Sequence, residues 1–382
     1  MKGQSLKAAK VQFMKIAVYL ADQNPHRDRT LGITNYTRCL LSGLLQRTDI
    51  YLSTLVSASS FSLVNNTVEE TRLPWRTDNP FFRLLTDNLS APILDSMKPD
   101  VVYYPKGYVS YIMRPRCPVV GTVHDTILQY YADHYPHARS PIDLVYWIGL
   151  MKSSIRKFDM ILADSCSTRD QILEFCRRYR IAPPPIRVTY AASDYEDVQI
   201  RQNVKKDYIL HFASLSPHKN TKALMEVWSH VSQERPSWPQ LKLIGSTSAV
   251  AEFLEYPGVS HIPFIENHEF SAIIEQARAI LIPSAIEGFG LPALEGYYHG
   301  TPVCFLRGTS VEEILCPFTA KGGFLLDDPQ SFKQALDQVL GMSFEEVVKI
   351  RDGLRAKFSK NNFVEAVAGA LCDAGSKTGM VR

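Results

Sequence analysis

Short apolar runs alternate with helical patterns along most of the chain. Residues 15–20 (KIAVYL) form a continuous apolar run typical of a buried strand, and residues 33–46 follow with apolar positions at helical spacing. The same alternation predicts further strands at 50–56, 101–104, 119–123, 160–163 and 186–190. Because strands that alternate with helices form parallel sheets, the first half is predicted to be a doubly wound α/β sheet.

A polar stretch at 193–207 (SDYEDVQIRQNVKKD) interrupts this alternation. A second series of strands is predicted after it, at 208–213, 240–244, 259–262, 279–282, 303–305 and 323–326. We therefore expect α/β domains at 14–195 and 205–342. Residues 343–382 are helical by pattern and are expected to pack back toward the first domain. Ligands of such sheets bind beyond the carboxyl ends of the strands, so the cleft between the two domains is the expected site.

Length and charge agree with this picture and exclude some functions. A chain of 382 residues is long enough for two domains that each bury a core. The formal net charge of +3 is too small to indicate a nucleic-acid-binding protein. Seven cysteines are scattered without any CxxC pair or zinc-ligand spacing, which predicts a reducing compartment and no structural metal.

Neither a secretory signal nor a membrane span is expected. Residues 1–15 carry four lysines but lack the apolar run of a signal peptide. The longest apolar candidate, at 142–151, is far shorter than a transmembrane helix and contains Asp143. The expected location is the cytoplasm.

The segment at 279–300 (AILIPSAIEGFGLPALEGYYHG) carries the strongest chemical signal. A strand leads into a glycine-bearing loop, and a helix is predicted to open at Pro292, a residue suited to a first helical turn. Gly288 and Gly290 allow the backbone to approach a ligand, and the N–H groups that start a helix favour anions. This arrangement predicts a phosphate-binding loop.

Two carboxylates, Glu287 and Glu295, flank this loop with seven residues between them. A carboxylate would repel a phosphate, but it accepts hydrogen bonds from sugar or ribose hydroxyls. The predicted ligand is therefore a nucleotide joined to a polyol. GFGLPA also fits the dinucleotide pattern G-x-G-x-x-A, although the next predicted strand is followed by Arg307 where such a site has an acidic residue. A purely structural turn remains a further alternative.

The stretch IEGFGLPALEGYYHGTPV resembles the E-x7-E signature of glycosyltransferase family 4 (group 1), whose members are retaining enzymes. The resemblance implies a GT-B fold, with two Rossmann-like parallel-sheet domains facing a deep cleft, an acceptor domain first and a donor domain second. It implies that Glu287 contacts the donor sugar, that Glu295 holds the ribose, and that the amides of Gly288, Phe289, Gly290 and Leu291 bind the sugar and diphosphate.

The segment YILHFASLSPHKN resembles the family pattern G-[ST]-x-x-P-R-K-N, which implies diphosphate contacts for His218 and Lys219. A lysine there can neutralise the charge that develops on the leaving group. The chain departs from this pattern with Ala213 at the glycine and His218 at the arginine. Because a neutral histidine carries no charge, leaving-group stabilisation is expected to be weaker than in typical members.

Five further segments extend the resemblance. VVGTVHDTI implies that His124 hydrogen-bonds the donor sugar, while Asp125 is expected to cap the following turn or orient His124. LGITNY retains Gly32 of a glycine pair that approaches the diphosphate and acceptor. HIPFIENHEF resembles the loop that binds the nucleobase, with Phe264 and Ile265 as candidates. ADSCSTRDQI and SVEEIL, which contains the family's acidic residue as Glu313, also match.

The resemblance implies a retaining transfer from a nucleotide-diphosphate sugar, with a UDP-sugar favoured and a GDP-sugar next, in which His124, Lys219 and Glu287 are catalytic. No metal cofactor is expected, because no acidic metal-binding pattern lies near the loop. The expected acceptor is a glycan or a lipid-linked glycan of surface or extracellular polysaccharide synthesis. Basic and aromatic residues of the first domain suggest weak membrane contact. A sugar-nucleotide epimerase or hydrolase and a non-catalytic nucleotide-sugar-binding homologue remain alternatives.

Overall fold

The computed structural model describes residues 13–23, 31–60, 68–77, 79–202, 205–263 and 267–376. Their strands form two sheets, and each of the strand pairings that follow is parallel. The fold is thus a mixed α/β architecture of two Rossmann-like sheets, as the sequence predicts.

The first sheet has seven strands in the order β3-β2-β1-β4-β5-β6-β7. These strands are β1 (Met14–Tyr19), β2 (Ile50–Val56), β3 (Glu69–Arg72), β4 (Val101–Tyr104), β5 (Val119–Val123), β6 (Met160–Ala163) and β7 (Ile186–Val188). The helices of this part are α1 (Leu31–Leu44), α2 (Pro80–Ser96), α3 (Ile127–His134), α4 (Pro141–Lys157) and α5 (Cys166–Arg178).

The second sheet has six strands in the order β10-β9-β8-β11-β12-β13. These strands are β8 (Tyr208–Phe212), β9 (Gln240–Ile244), β10 (Val259–Ile262), β11 (Ala279–Ile282), β12 (Val303–Leu306) and β13 (Gly323–Phe324). Its helices are α6 (Thr221–Val231), α7 (Thr247–Val250), α8 (Asn267–Gln276), α9 (Leu291–Tyr298), α10 (Ser310–Leu315) and α11 (Pro329–Leu340), and α12 (Phe344–Lys357) and α13 (Lys360–Ser376) follow. One core cluster of this part packs Trp228, Phe324 and Phe332 between sheet and helices.

Each sheet has a point at which the strand order reverses. In the first sheet β1 pairs with both β2 and β4, and in the second sheet β8 pairs with both β9 and β11. Ligands of parallel sheets bind at such switch points, beyond the carboxyl ends of the strands. In the second sheet these ends lead into the loops after Phe212 and Ile282, which contain the predicted diphosphate and glycine motifs.

The chain forms two compact units, which we describe separately. The first contains residues 1–122, 153–161 and 364–382 as far as they are described, and the second contains 123–152 and 162–363. This division differs from the single boundary that the polar stretch at 193–207 suggests, because compact units depend on tertiary contacts and a linker is recognised by composition. The limits of the two α/β domains, 14–195 and 205–342, and of the helical C-terminal segment, 343–382, stay predictions.

Within the first unit, the C-terminal residues pack on elements from the start of the chain. An added Cβ at Gly43 of α1 would lie 2.2 Å from Val364, and one at Gly375 would lie 2.7 Å from the sulfur of Met14. Arg47 also forms an ion pair with Glu365. The side chains of Val364 and Leu371 are buried, so α13 completes the core of this unit.

Candidate functional site

The glycine loop lies between β11 and α9 in the second unit. Gly290 precedes the first residue of α9 and has φ +97°, a left-handed backbone conformation that favours glycine. Pro292 occupies the first turn of α9, where its missing N–H breaks no helical hydrogen bond. The side chain of Phe289 is buried against Tyr190 and Phe358. Phe289 can therefore contribute its amide to a ligand, while its ring belongs to the core.

Glu287 and Lys219 meet at the switch point of the second sheet. The Lys219 ammonium lies 2.5 Å from the Glu287 carboxylate, and both side chains are largely buried. Burial raises the pKa of Glu287, but the charge of Lys219 and hydrogen bonds from Lys219 and Ser284 outweigh it, so the pKa falls below its usual value. The Glu287 carboxylate is therefore ionised at neutral pH.

His218 is buried next to this pair. Its Nδ1 lies 2.6 Å from the hydroxyl of Tyr131, and its carbonyl accepts a hydrogen bond from the amide of Ala285. Burial, together with the nearby charge of Lys219, lowers the pKa of His218 to about 4. The ring is therefore neutral at pH 7, as the sequence predicts, and Lys219 is the cation of this loop.

Glu295 lies about one turn into α9 and accepts a hydrogen bond from Ser193 Oγ at 3.0 Å. Burial raises the pKa of Glu295 to about 7, a change that the Ser193 hydrogen bond opposes and the charge of Asp194 reinforces. A half-ionised carboxylate can accept hydrogen bonds from neutral hydroxyls, which agrees with the ribose role that the resemblance implies.

His124 follows β5 and is held by an acidic residue that follows β6. Its Nδ1 lies 2.6 Å from Asp164 Oδ2, and both side chains are mostly buried. Asp125, which was the residue considered for orienting His124, instead accepts a hydrogen bond from the Ile127 amide and so caps the turn before α3. Burial raises the pKa of the Asp125 carboxyl above its usual value.

Gly288 joins the glycine loop to the His124 segment. Its carbonyl accepts hydrogen bonds from Ser165 Oγ at 2.6 Å and Thr168 Oγ1 at 2.9 Å, and Thr168 also donates to the carbonyl of His124. An added Cβ at Gly288 would lie 2.3 Å from that carbonyl oxygen. Glycine is therefore required here by backbone packing as well as by any approach of a ligand.

Glu313 of α10 binds the start of α5. Its two carboxylate oxygens accept hydrogen bonds from the amides of Cys166 and Ser167, each at 2.8 Å. A carboxylate at a helix N-terminus satisfies free N–H groups and interacts favourably with the helix dipole. Glu313, the acidic residue of the matched segment SVEEIL, thus connects α10 to the start of α5.

Family models match both halves of the chain. The model described as "Glycosyl transferases group 1" matches residues 194–362, and the model described as "Glycosyltransferase Family 4" matches residues 32–196. The chain belongs to the group 1 glycosyltransferases.

Individual relatives of this glycosyltransferase are distant. The chain is 26% identical over 265 residues to the O-antigen chain mannosyltransferase RfbU of Salmonella typhimurium, an alignment that covers 66% of this chain and 69% of the relative. Three relatives named as mannosyltransferases are covered over 59% to 69% of their own lengths.

Solved structures confirm the GT-B fold of the glycosyltransferase. The sucrose-phosphate synthase of Thermosynechococcus elongatus aligns with a TM-score of 0.69 and 13% identity, covering 95% of this chain and 100% of that one. Anabaena HepE, solved with UDP and glucose, aligns with a TM-score of 0.64 and 15% identity, covering 94% of this chain and 100% of that one.

The predicted site residues of the glycosyltransferase fall into three groups. The second unit contains His124, His218, Lys219, Glu287, Gly288, Phe289, Gly290, Leu291 and Glu295. Gly32 belongs to the first unit, where it lies exposed in the first turn of α1, and an added Cβ there would meet none of the described residues within 4 Å. Phe264 and Ile265, the nucleobase candidates, lie outside the described residues.

Two residues of the site were not assigned from the sequence. Tyr131 contacts His218 across 87 positions, and Asp164 contacts His124 across 40 positions. The only signal of Asp164 was its place in the matched stretch ADSCSTRDQI, and nothing in the local pattern around Tyr131 indicated a role.

Among the described residues, no group of three or more His, Cys, Asp and Glu side chains is placed to hold a metal ion. The expectation that no metal is required stays a prediction. No helix in the described part of the chain is both long and apolar enough to cross a membrane.

Proposed function

We propose that this chain is a retaining hexosyltransferase that moves a sugar from a nucleotide-diphosphate donor to a glycan or lipid-linked acceptor in surface or extracellular polysaccharide synthesis. The observation that carries the proposal is the partly buried Lys219–Glu287 pair, which lies at the switch point of the second sheet and beside the glycine loop. Such a site offers a cation and helix N–H groups for a diphosphate, with carboxylates for hydroxyl groups.

Each residue of the site has a part in this proposal. The start of α9 and Lys219 bind the diphosphate, and Glu295 accepts hydrogen bonds from the ribose. Glu287 and His124 contact the donor sugar. Without a donor, Lys219 and Glu287 form an ion pair with each other. When the donor binds, the diphosphate becomes the partner of Lys219 and the sugar becomes the partner of Glu287.

The hydrogen bonding of the carboxylates supports a mechanism without a side-chain base. Glu287 is paired with Lys219, Asp125 accepts the Ile127 amide, and Asp164 lies against His124. We propose that the leaving phosphate takes the proton of the acceptor hydroxyl on the same face of the sugar. Lys219 and the helix dipole would stabilise the negative charge of the departing diphosphate.

The donor is proposed as a UDP-sugar first and a GDP-sugar next. HepE, which shares the fold, was solved with UDP and glucose. Mannose is included among the sugars to be tested because three relatives are named as mannosyltransferases, two of them acting on O-antigen chains.

The first experiment is a thermal-shift panel of UDP-, GDP- and ADP-sugars with and without EDTA, since a ligand that binds the folded state raises Tm. We expect one nucleotide to raise Tm equally with and without EDTA, and Glu295→Ala to abolish this shift. The responding donor is then incubated with glycan acceptors, and NMR of the product should show the anomeric configuration of the donor.

Each alternative gives a different result in the same assay. Release of free sugar without an acceptor would indicate a hydrolase, and isomerisation of the donor sugar would indicate an epimerase. Binding without any turnover would indicate a nucleotide-sugar-binding homologue, in line with neutral His218. An inverted anomer would contradict the retaining mechanism.

The first unit supports the membrane part of the proposal. An almost wholly apolar groove of about 430 Å³ lies on α2 and the loop at 111–112, lined by Phe81, Leu84, Leu85, Asn88, Leu89, Tyr111 and Ile112. Ile112 is 72% exposed, and Arg116, four residues further along the chain, is 92% exposed and lies 3.8 Å from Asp95. Exposed apolar residues and cations are suited to an anionic lipid surface.

Two further residues of the first unit, one basic and one aromatic, have internal contacts. Lys106 donates to the carbonyl of Asp22, so it does not belong to an exposed basic surface. Trp75 stacks on Phe82 and donates to Thr86. We therefore propose that the groove itself makes peripheral contact with the cytosolic face of a membrane.

Vesicle co-sedimentation tests this contact. The protein should sediment with phosphatidylglycerol vesicles, and Ile112→Asp should weaken binding while Leu254→Asp, at an exposed leucine of the second unit, should not. Equal binding by both variants, or no binding by the unchanged protein, would remove the membrane contact and leave the proposed transfer reaction untouched.

A further inference from the structure

The pairing of His124 with Asp164 is a feature of the site that the proposed reaction does not yet explain. Asp164 Oδ2 lies 2.6 Å from His124 Nδ1. The second oxygen, Oδ1, is buried and has no hydrogen-bond partner in the described structure. The Asp164 carboxylate therefore makes its short contact through one oxygen while the other remains unsatisfied.

This arrangement is unfavourable as a purely structural device. Burying a carboxylate without satisfying its oxygens costs free energy, and an apolar side chain of similar volume is often neutral or stabilising at such a position. The packing of Gly288 against this segment is already provided by Ser165 and Thr168. The presence of a carboxylate at position 164 is therefore explained by its contact with His124.

A carboxylate that accepts a hydrogen bond fixes the state of a histidine ring. When the carboxylate is the acceptor of this hydrogen bond, the shared proton lies on Nδ1. Among the described residues near this pair, Asp125 accepts the Ile127 amide and Glu287 accepts from Lys219. In the proposed function, Nε2 is the ring nitrogen that contacts the donor sugar.

We propose that Asp164 is a positioning residue of the transfer reaction, which holds His124 through Nδ1 so that Nε2 meets the donor sugar. This inference rests on the proposed function for the role of His124. The hold of Asp164 on the ring can be measured without any donor.

The first arm of the test is spectroscopic and does not require turnover. Long-range ¹H–¹⁵N spectra of histidine-labelled protein report which ring nitrogen carries the proton, and His124→Gln assigns the signal among the ten histidines. In the unchanged protein His124 should be protonated at Nδ1, and Asp164→Asn should change the ring signals. An unprotonated Nδ1 with the proton on Nε2 would overturn the proposal.

The second arm measures transfer. Asp164→Asn should lower kcat roughly 10- to 100-fold, because it removes the negative charge beside Nδ1 and lets an amide NH2 group face the ring, with the affinity for free nucleoside diphosphate unchanged. Asp170→Asn, which removes an exposed carboxylate on α5, is the matched control and should leave kcat unchanged.

Combining the substitutions separates positioning from general damage. In a His124→Gln background, Asp164→Asn should have no further effect on kcat, because Asp164 acts through the ring. An equal loss in both backgrounds, or an unaltered kcat in Asp164→Asn alone, would overturn the inference. If the unchanged protein transfers no sugar, the proposed function fails, and the spectroscopic arm still decides whether Asp164 holds the ring.

Discussion

Gly288 shows how a single residue can be constrained from two sides. Alanine there would place Cβ 2.3 Å from the carbonyl oxygen of His124, and backbone cannot move aside as a flexible side chain can. We expect Gly288→Ala to destabilise the protein by about 1–3 kcal/mol and to lower transfer further by displacing His124. Urea unfolding and kcat measure the two effects.

Gly369→Ala is the matched control, because an added Cβ at this position of α13 meets nothing within 4 Å. Alanine is favoured over glycine within a helix, so this variant should be equally or slightly more stable. Equal behaviour of the two variants would show that the contact at His124 does not constrain position 288.

The raised pKa of Glu295 predicts a conflict between stability and binding. The Glu295 carboxyl has a pKa of about 7 in the folded protein and about 4.5 in the unfolded chain. The folded protein therefore loses stability as pH rises from about 4.5 to about 7. Glu295→Gln should therefore be more stable than the unchanged protein at pH 8, by about 1–2 kcal/mol for this partly exposed group.

The two proteins should converge at pH 5, where Glu295 is protonated in the folded state. Urea unfolding at the two pH values gives the comparison, and titration with the nucleotide found in the panel should show weaker binding by the variant. A variant that is no more stable at pH 8 would contradict the pKa shift, whatever its affinity.

The depressed pKa of His218 has the opposite consequence. Below about pH 6.5 the unfolded histidine takes up a proton, whereas the folded one does so only near pH 4, so stability is lost as pH falls between these values. At pH 5 this group should reduce stability by about 2 kcal/mol relative to pH 7. His218→Gln should show a smaller loss in urea unfolding.

The exposed His137 provides the comparison, and His137→Gln should lose as much stability as the unchanged protein between pH 7 and pH 5. His211 is also buried with a pKa lowered to about 4, so His218→Gln removes only part of the dependence. An identical fall in both variants would argue against a neutral buried ring at position 218.

Among the elements, α5 depends on a residue of α10. Glu313 accepts the amides of Cys166 and Ser167, so its removal leaves helix N–H groups without these partners. Glu313→Ala should lower the free energy of unfolding by about 1–2 kcal/mol. Hydrogen exchange should increase in the first turn of α5. Glu255→Ala, at an exposed site, should change neither quantity.

The sequence predicts elements well where a local pattern decides them. The bounds of β2, β4, β5, β6, β9, β10 and β11 agree with the predicted ranges. Strands such as β4, β6 and β11 are short apolar runs, which a local pattern identifies. Strand β3, with the sequence EETR, was missed because it lies at the sheet edge and has no apolar pattern. Its pairing with β2 is a tertiary contact that composition does not reveal.

The same distinction applies to the site. Glu287 and Gly290 were identified because strand, loop and helix signals converge within one short segment, and Lys219 was identified because its segment resembles the family pattern. Asp164 and Tyr131 lie 40 and 87 positions from the histidines that they contact. These contacts form only when the chain folds, so no local sequence pattern indicates them.

At the scale of the whole molecule, α13 belongs to the unit formed by the first 122 residues. Leu371 is fully buried there, so Leu371→Ala should lower the free energy of unfolding by about 2–5 kcal/mol. Hydrogen exchange should increase in α1 and β1, which neighbour α13 through Gly43 and Met14. Leu173→Ala, the same change at an exposed leucine of α5, should have little effect.

This three-part construction of the first unit has a consequence for biosynthesis. Residues 13–122 leave the ribosome long before residues 364–376, and at about 5–20 residues per second the interval is on the order of tens of seconds. During that interval the nascent chain must keep the surface that α13 later covers away from other chains. Ribosome-associated chaperones would therefore be needed for the earliest segment of the protein until its latest segment has been made.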